Sequence, residues 1–319
     1  MTEAPARPQE GILRHVGHTP LVALRVVAHG LPVPVLAKCE FLNPGGSIKD
    51  RIAVAIIDEA ERRGELAPGS TIIEATAGNT GMGLALVASV RGYRVACVMP
   101  EKMSEDKRRA LRMLGAEVIV TPNAAADHPD YYQNVARRIA AERGWFLADQ
   151  FRNPANPRIH ELETGAEIAA QVDGRVHAFV AGAGTGGTIT GVGRCLKARD
   201  ARTRVVLADP VGSALASWVN RGEAGEDLPY VVEGIGGGVV PATLDLSVVD
   251  EAETVSDEEA FAMTRRLIRD EGLLVGGSSG AVVVAALRVA ARARAGDGAV
   301  VTILADSWDR YFSKGWLEG

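Results

Sequence analysis

Cysteine is scarce: the 319 residues contain three, Cys39, Cys97 and Cys195. They are odd in number, far apart and without a C-x-x-C, which argues against a disulfide framework or a cysteine-rich zinc site and fits a reducing cytoplasm. Positive charge is also short. Lysine and arginine number 35 against 40 aspartates and glutamates, for a net charge of −5. That balance does not suit a protein held to nucleic acid mainly by phosphate attraction, so the expected partner is a small molecule. No apolar run approaches the ~18 residues that suggest a membrane span. The start, MTEAPARPQEG, lacks a basic-then-apolar leader. There is no low-complexity segment, no repeat of fixed period and no G-x-x-x-x-G-K-[ST], which removes a P-loop nucleotide hydrolase. His15 and His18 have no neighbouring carboxylate or third ligand, so no metal is expected.

What the chain does have is an ordinary globular composition, 47% hydrophobic and 24% charged, at a length that suggests two lobes of about 150 residues each. Its patterns alternate between strand and helix. A strand over residues 33–40 precedes a glycine-rich break and a helix that ends near Gly64. Strands over 71–74, 93–99 and 117–120 alternate with helices over 84–90 and 104–114, and a helix over 131–143 leads to a short strand at 146–148. Asn153-Pro154-Ala155-Asn156-Pro157 reads as punctuation, a crossing from one lobe to the other. A helix around 161–171, a strand 177–181, a helix 187–197 and a strand 205–209 follow. Residues 221–241 read as a long loop. Ser256-Asp257-Glu258-Glu259 is a capping box opening a helix that Gly272 closes, and a last helix and strand, to Arg294 and over 299–304, finish the chain. The fold expected is α/β, two lobes each with a mostly parallel sheet flanked by helices, with function carried by loops at the strand C-termini.

Three glycine-rich turns and one lysine stand out. Lys49 follows Asn43-Pro44-Gly45-Gly46-Ser47-Ile48 at a helix start, where the helix dipole disfavours an ammonium. It reads either as a solvated lysine or as one kept neutral for Schiff-base chemistry with an aldehyde. Gly182-Ala183-Gly184-Thr185-Gly186-Gly187-Thr188 follows a strand and opens a helix. It suits a phosphate monoester, with two rivals: a dinucleotide, since Gly182, Gly184 and Gly187 match G-x-G-x-x-G and Asp209 ends the next strand as a ribose partner would, and a plain turn. Thr76-Ala77-Gly78-Asn79-Thr80-Gly81 suits a small carboxylate or is a capped turn. Gly276-Gly277-Ser278-Ser279-Gly280 is a third such loop, where either serine could be an N-cap. A phosphate, a carboxylate and a carbonyl carbon are what pyridoxal phosphate and an amino acid present together.

NPGGSIKDR, TAGNTG, GTGGT and GGSSG, in this order across nearly the whole chain, resemble the fold-type II pyridoxal-phosphate enzymes of the cysteine synthase and cystathionine β-synthase family. The resemblance implies that Lys49 is the Schiff-base lysine and proton carrier. It implies that Gly184, Thr185, Gly186, Gly187 and Thr188 hold the cofactor phosphate, Asn79 its ring hydroxyl and Ser278 its pyridine nitrogen. Thr76, Ala77, Gly78, Thr80, Gln150 and Gly234 fall to the substrate side. A larger cofactor-binding lobe of 1–42 plus 149–319 and a smaller, mobile lobe of 43–148 are implied as well, as is a homodimer.

A neutral serine at the pyridine nitrogen makes a weaker electron sink than a carboxylate, which favours loss of a β-substituent. The implied reaction is β-replacement on serine or an activated serine by a thiol. MPEKMSEDK, QFRNPANPRIH, ADPVGS, VVEGIG and ADSWDRYFSKGW look more like the cystathionine β-synthase catalytic core than like a typical cysteine synthase. Phe151, Gly237-Gly238-Val239 and Ala77 depart from that core, so serine with homocysteine stands first and O-acetylserine or O-phosphoserine with sulfide second. Neither haem nor adenosylmethionine control is expected. Two readings of other classes stand beside these: an NAD(P)-dependent oxidoreductase using Gly182–Gly187 and Asp209, and a catalytically silent relative that docks a partner's tail.

Overall fold

A computed structural model describes residues 11–317 except Ala77 and Ala126. In chain order its strands and helices are β1 (Leu21–Ala23), β2 (Val35–Cys39), α1 (Lys49–Arg62), β3 (Thr71–Ala75), α2 (Asn79–Arg91), β4 (Arg94–Pro100), α3 (Glu105–Met113), β5 (Glu117–Thr121), α4 (Tyr132–Arg143) and β6 (Phe146–Leu147). There follow α5 (Ala155–Ile159), a π-helical turn His160–Thr164, α6 (Gly165–Gln171), β7 (Val176–Ala181), α7 (Gly187–Arg199), β8 (Arg204–Pro210), α8 (Leu215–Arg221), β9 (Glu251–Val255), α9 (Asp257–Asp270), α10 (Gly277–Arg292) and β10 (Ala299–Leu304).

The chain divides into two compact units, Met1–His18 with Asn43–Asp149, and Thr19–Leu42 with Gln150–Gly319. The described residues before Thr19 group with the smaller unit, not with the larger one as the sequence suggested. One local reason is the Gly17 N–H, which donates to the Asn43 side chain at 2.8 Å and ties that segment to the Asn-Pro-Gly-Gly loop.

The smaller unit carries a four-stranded parallel sheet in the order β5-β4-β3-β6. All five residues of β3 and the last six of β4 are buried, as expected for parallel strands covered on both faces, and this is why Thr71–Ile73 reads as a β-branched run, although the strand also buries Glu74. The larger unit carries a six-stranded sheet in the order β1-β2-β10-β7-β8-β9, parallel except for β1 against β2. Its core is built largely of valine and alanine from β2, β7, β8, β10 and α10.

In both sheets the strand order reverses at one place. The chain runs β3, β4, β5 in one direction and returns with β6 on the other side of β3; likewise β7, β8, β9 run one way and β10 returns beside β7. A crevice opens at the C-terminal end of the strand where such a reversal occurs, and ligands of open α/β sheets bind there. Those strands are β3 and β7, followed by Thr76–Thr80 and Gly182–Gly186.

One sequence expectation is corrected. The Asn153–Pro157 stretch is not a linker: helix α5 begins at Ala155, with Pro154 as N-cap and Pro157 in the first turn, where a missing N–H costs nothing because that donor has no intrahelical acceptor. Residues 251–255, which the sequence left unassigned, are edge strand β9. The capping box itself is present, with Ser256 Oγ accepting from Glu259 N–H and the Glu259 carboxylate accepting in return. No described helix is long and apolar enough to cross a membrane.

Candidate active site

In the smaller unit, Lys49 is the first residue of α1, half-buried, with its N–H donating to Ser47 Oγ at 3.2 Å. Behind it the buried Asp50 carboxylate accepts the Gly45 N–H at 2.5 Å, and a Cβ on Gly45 would strike that carboxylate. Glycine is therefore required where the loop folds back on the helix start, and Gly46 next to it has φ +77°. The apolar positions Ile52, Ala53, Ile56, Ile57 and Ala60 bury one face of α1 and fix its axis.

Helix α2 crosses this start closely. A Cβ on Gly83 would lie 3.0 Å from the Lys49 carbonyl oxygen and 3.2 Å from Ala53 Cβ. The start of α1 is thus in contact with the second turn of α2, and the turn that opens α2 is held near Lys49. Thr76 is buried; its hydroxyl accepts the N–H groups of Gly78 and Gly81, each at 3.3 Å, so it braces the turn from below. Gly78 is the N-cap of α2, Asn79 its half-buried first residue, and Thr80 is buried. Ala77 lies outside the described residues. Burial pushes the Cys97 thiol up to about 12, Glu74 adding to the effect, and pushes Cys39 up to about 12 as well, Glu40 adding there. Neither is a thiolate at neutral pH.

In the larger unit, Gly184–Thr188 leaves the end of β7 and opens α7, with Gly186 left-handed at φ +84°. The glycines are demanded by close neighbours. A Cβ on Gly184 would strike the Gly234 carbonyl oxygen, one on Gly186 the Leu244 Cβ, and one on Gly187 the Asn156 amide. Gly234, placed on the substrate side by the sequence, thus packs against this turn through its carbonyl.

The two threonines of the turn are held from the segment after Gln150. Asn156 Nδ2 donates to Thr185 Oγ1 at 3.0 Å and to the Gln150 carbonyl at 2.8 Å. Thr188 Oγ1 lies 3.2 Å from His160 Nε2, whose Nδ1 is 3.0 Å from Thr164 Oγ1. Thr243 Oγ1 donates to the Thr185 carbonyl at 2.5 Å. Gln150 and Thr185 are both buried. Strand β10 pairs with β7 in parallel, so their C-terminal ends are neighbours. Past β10 the Asp306 carbonyl accepts the Gly276 N–H at 3.1 Å, which brings the start of α10, with buried Ser278 in its first turn, to the same sheet edge as Gly184–Thr188.

These donors suit a phosphorylated, neutral-ring cofactor. Glycine at the positions nearest the helix start adds no side chain over the backbone N–H groups, of which that of Gly187 donates to Thr185 Oγ1 at 3.5 Å, the α7 N-terminus favours an anion, and Ser278 offers a neutral hydroxyl instead of a charge. Asn156, His160 and Thr243 escaped the sequence reading. Only the histidine stands out as a residue type, and nothing in the local pattern assigns any of the three to the turn.

Asp209, put forward as a ribose partner, is turned inward. It is fully buried and its carboxylate accepts the Ala216 N–H at the start of α8 at 2.7 Å. That removes the residue on which the dinucleotide reading depended. Burial raises its pKa to about 6 from 3.8, although hydrogen bonds from Ser213 and Ala216 act the other way. A raised carboxyl pKa means the folded state binds the proton more tightly, so this contribution to stability is full below about pH 4 and is lost as pH rises through 6. The Asp209→Asn variant should accordingly gain on the parent protein by about 2 kcal/mol between pH 4.5 and 7.5. Denaturant melts at the two pH values check this; an unchanged difference would refute it.

The chain matches the family model described as "Pyridoxal-phosphate dependent enzyme" over residues 12–306. It is 48% identical over 307 residues to cystathionine beta-synthase of Mus musculus, and likewise to that of Rattus norvegicus, matching 95% of this chain and 54% of each relative. The chain therefore spans about half the length of these curated relatives. Among solved structures it is similar to an O-ureido-L-serine synthase, with TM-score 0.90 and 38% identity, covering 97% of this chain and 95% of the other. A lysine-to-alanine mutant of that synthase with O-ureido-L-serine bound gives TM-score 0.88 at the same identity, covering 97% and 94%.

Proposed function

Because this chain belongs to the pyridoxal-phosphate-dependent enzyme family and is a pyridoxal-phosphate enzyme, we propose that it performs β-replacement, exchanging the β-substituent of L-serine or an activated serine for a thiol. Serine with homocysteine, giving cystathionine, is the first pairing. O-acetylserine or O-phosphoserine with sulfide, giving cysteine, is the alternative. The observation that carries the reading is Ser278, a neutral, buried hydroxyl at the sheet edge that also bears Gly184–Thr188.

Pyridoxal phosphate supplies, when bound, an electron sink for the bond to the α-proton. The residues around it divide the remaining work. Gly184, Thr185, Gly186, Gly187 and Thr188 hold the phosphate through backbone N–H and hydroxyl donors, with the α7 dipole adding attraction. Asn79 holds the ring hydroxyl and Ser278 the ring nitrogen. Because serine does not carry a full negative charge, it lends the ring less electron-withdrawing power than a carboxylate would, and loss of the β-substituent is the easier course. Thr76, Gly78, Thr80 and Gln150 take the amino-acid carboxylate, with Ala77 and Gly234 also on the substrate side.

Lys49 attaches the cofactor and moves the proton. At a helix start its ammonium is disfavoured by the dipole, which helps it act as a neutral base toward the α-carbon. Once protonated it can hand that proton to a departing hydroxyl. An acetate or phosphate leaving group needs no such help.

The likeness to an O-ureido-L-serine synthase supports a second reading, in which an oxygen nucleophile takes the place of the thiol. Serine, O-acetylserine and O-phosphoserine should each be offered with homocysteine, sulfide and hydroxyurea, and the products compared by mass. Cystathionine from serine and homocysteine is the expected main product. A protein that holds the cofactor yet makes no β-substituted alanine from any pair would refute the proposal.

A further inference from the structure

Asn156 is 1% exposed and sits between two residues that the proposed function assigns to different ligands. One amide hydrogen goes to the backbone carbonyl of Gln150, on the amino-acid carboxylate side, and the other to the hydroxyl of Thr185, on the phosphate side. These two bonds use both donors of the amide. The remaining atom, Oδ1, is buried and has no hydrogen-bond partner among the described residues. It lies against the Gly187 backbone, where a Cβ would strike it, so the amide cannot rotate freely about its bond to Cβ.

A buried acceptor left unpaired is costly, and an apolar side chain of similar size would avoid the cost. Both donors of the same side chain are nevertheless well placed. The Thr185 hydroxyl shows what they achieve. Thr185 Oγ1 accepts from Asn156 at 3.0 Å and, more weakly, from the Gly187 N–H at 3.5 Å, so its own proton is left for a further acceptor, and an anion at the α7 N-terminus is one.

We propose that Asn156 is a positioning residue that turns the Thr185 hydroxyl into a donor toward the cofactor phosphate and ties that turn to the Gln150 backbone. Cofactor and amino acid then bind cooperatively. The proposal rests on the cofactor and substrate assignments above, and adds a residue that touches neither ligand. Ordering the Thr185 side by phosphate fixes the Asn156 amide, and a fixed amide holds the Gln150 carbonyl, so the second ligand meets a site already ordered.

The test uses the full-length protein stripped of cofactor and reloaded. Pyridoxal-phosphate affinity is followed by its absorbance, and serine affinity, at saturating cofactor, by the change in that absorbance. Asn156→Ala should weaken cofactor binding about tenfold to a hundredfold, as expected for losing an aligned donor to a charged group. It should also weaken serine binding severalfold even when cofactor is saturating. Asn156→Asp should be worse for the cofactor, since a carboxylate would take the Thr185 proton for itself and repel the phosphate.

Thr185→Val provides the second measurement if the Asn156 variants do not fold. It should weaken serine binding as well as cofactor binding, because it frees the amide from its phosphate side. Values for Asn156→Ala within twofold of the parent for both ligands would overturn the positioning role. A Thr185→Val variant that loses cofactor affinity alone would overturn the coupling. Absence of β-replacement turnover would leave the cofactor measurement intact, so failure of the proposed reaction and failure of this inference give different results.

Discussion

Replacing Lys49 with alanine is expected to abolish turnover while leaving the fold intact. A positioned general acid or base contributes about 10²–10⁴-fold, and in the proposed function the same amine also attaches the cofactor, so the residual rate should fall below about 10⁻³ of the parent value. The fold should tolerate the change. Lys49 is only half-buried, the core face of α1 is made by Ile52, Ala53, Ile56, Ile57 and Ala60, and alanine is the best helix former. Three measurements bear on this. Circular dichroism and melting temperature of the cofactor-free proteins should match. Borohydride should fix the cofactor to the Lys49 peptide of the parent and to nothing in the variant. A variant with normal rates would refute the assignment of Lys49.

Gly184→Ala is expected to cost cofactor affinity more than stability. The new methyl would land on the Gly234 carbonyl oxygen, a backbone atom unable to swing aside as a flexible side chain would. Such overpacking costs typically about 1–3 kcal/mol, released here by pushing the turn away from Gly234. Shifting the turn by a few tenths of an ångström misaligns its donors, and each charge-assisted hydrogen bond lost is worth about 1.5–3 kcal/mol. The dissociation constant for pyridoxal phosphate should therefore rise at least tenfold and up to several hundredfold, measured by absorbance titration of the cofactor-free protein. Gly315→Ala, whose Cβ meets nothing within 4 Å, serves as the control and should change it less than twofold. Equal affinities for the two variants would mean that the turn does not hold the phosphate.

Much of this architecture is legible locally. The glycine turns after β3 and β7 announce themselves because a strand, a sharp turn and a helix start must follow one another within a few residues, and each has its own residue preferences. The capping box at Ser256 and Glu259 is of the same kind: both partners lie within one turn of chain. Lys49 is visible for that reason too, since a proline and two glycines fix where α1 begins. Less legible is β1, of three residues, too short for a period to show. The helix at Ala155 is hidden because proline in a first turn and proline in a linker look alike until the chain around them is placed.

Asp209 and Asn156 mark the limit most clearly. Both stand in plausible motifs, and in both cases the partner decides the role. Asp209 ends a strand where a ribose ligand would be expected, yet packing of α8 over the strand end turns it inward to an N–H seven residues on.

From its order of strands, turns and helix starts the sequence determined by itself that this is a mostly parallel α/β protein with glycine-rich turns at its strand ends and a lysine at a helix start, because those features are written in neighbouring residues. Tertiary structure alone decided that Asn156 braces Thr185 from 29 residues away and Thr243 from 58, that Gly234 closes on Gly184, and that the described residues before Thr19 join the smaller unit. Such contacts depend on which strands become neighbours in a sheet. Hydrophobic burial selects that order over the whole chain, and leaves no periodic trace at the residues it brings together.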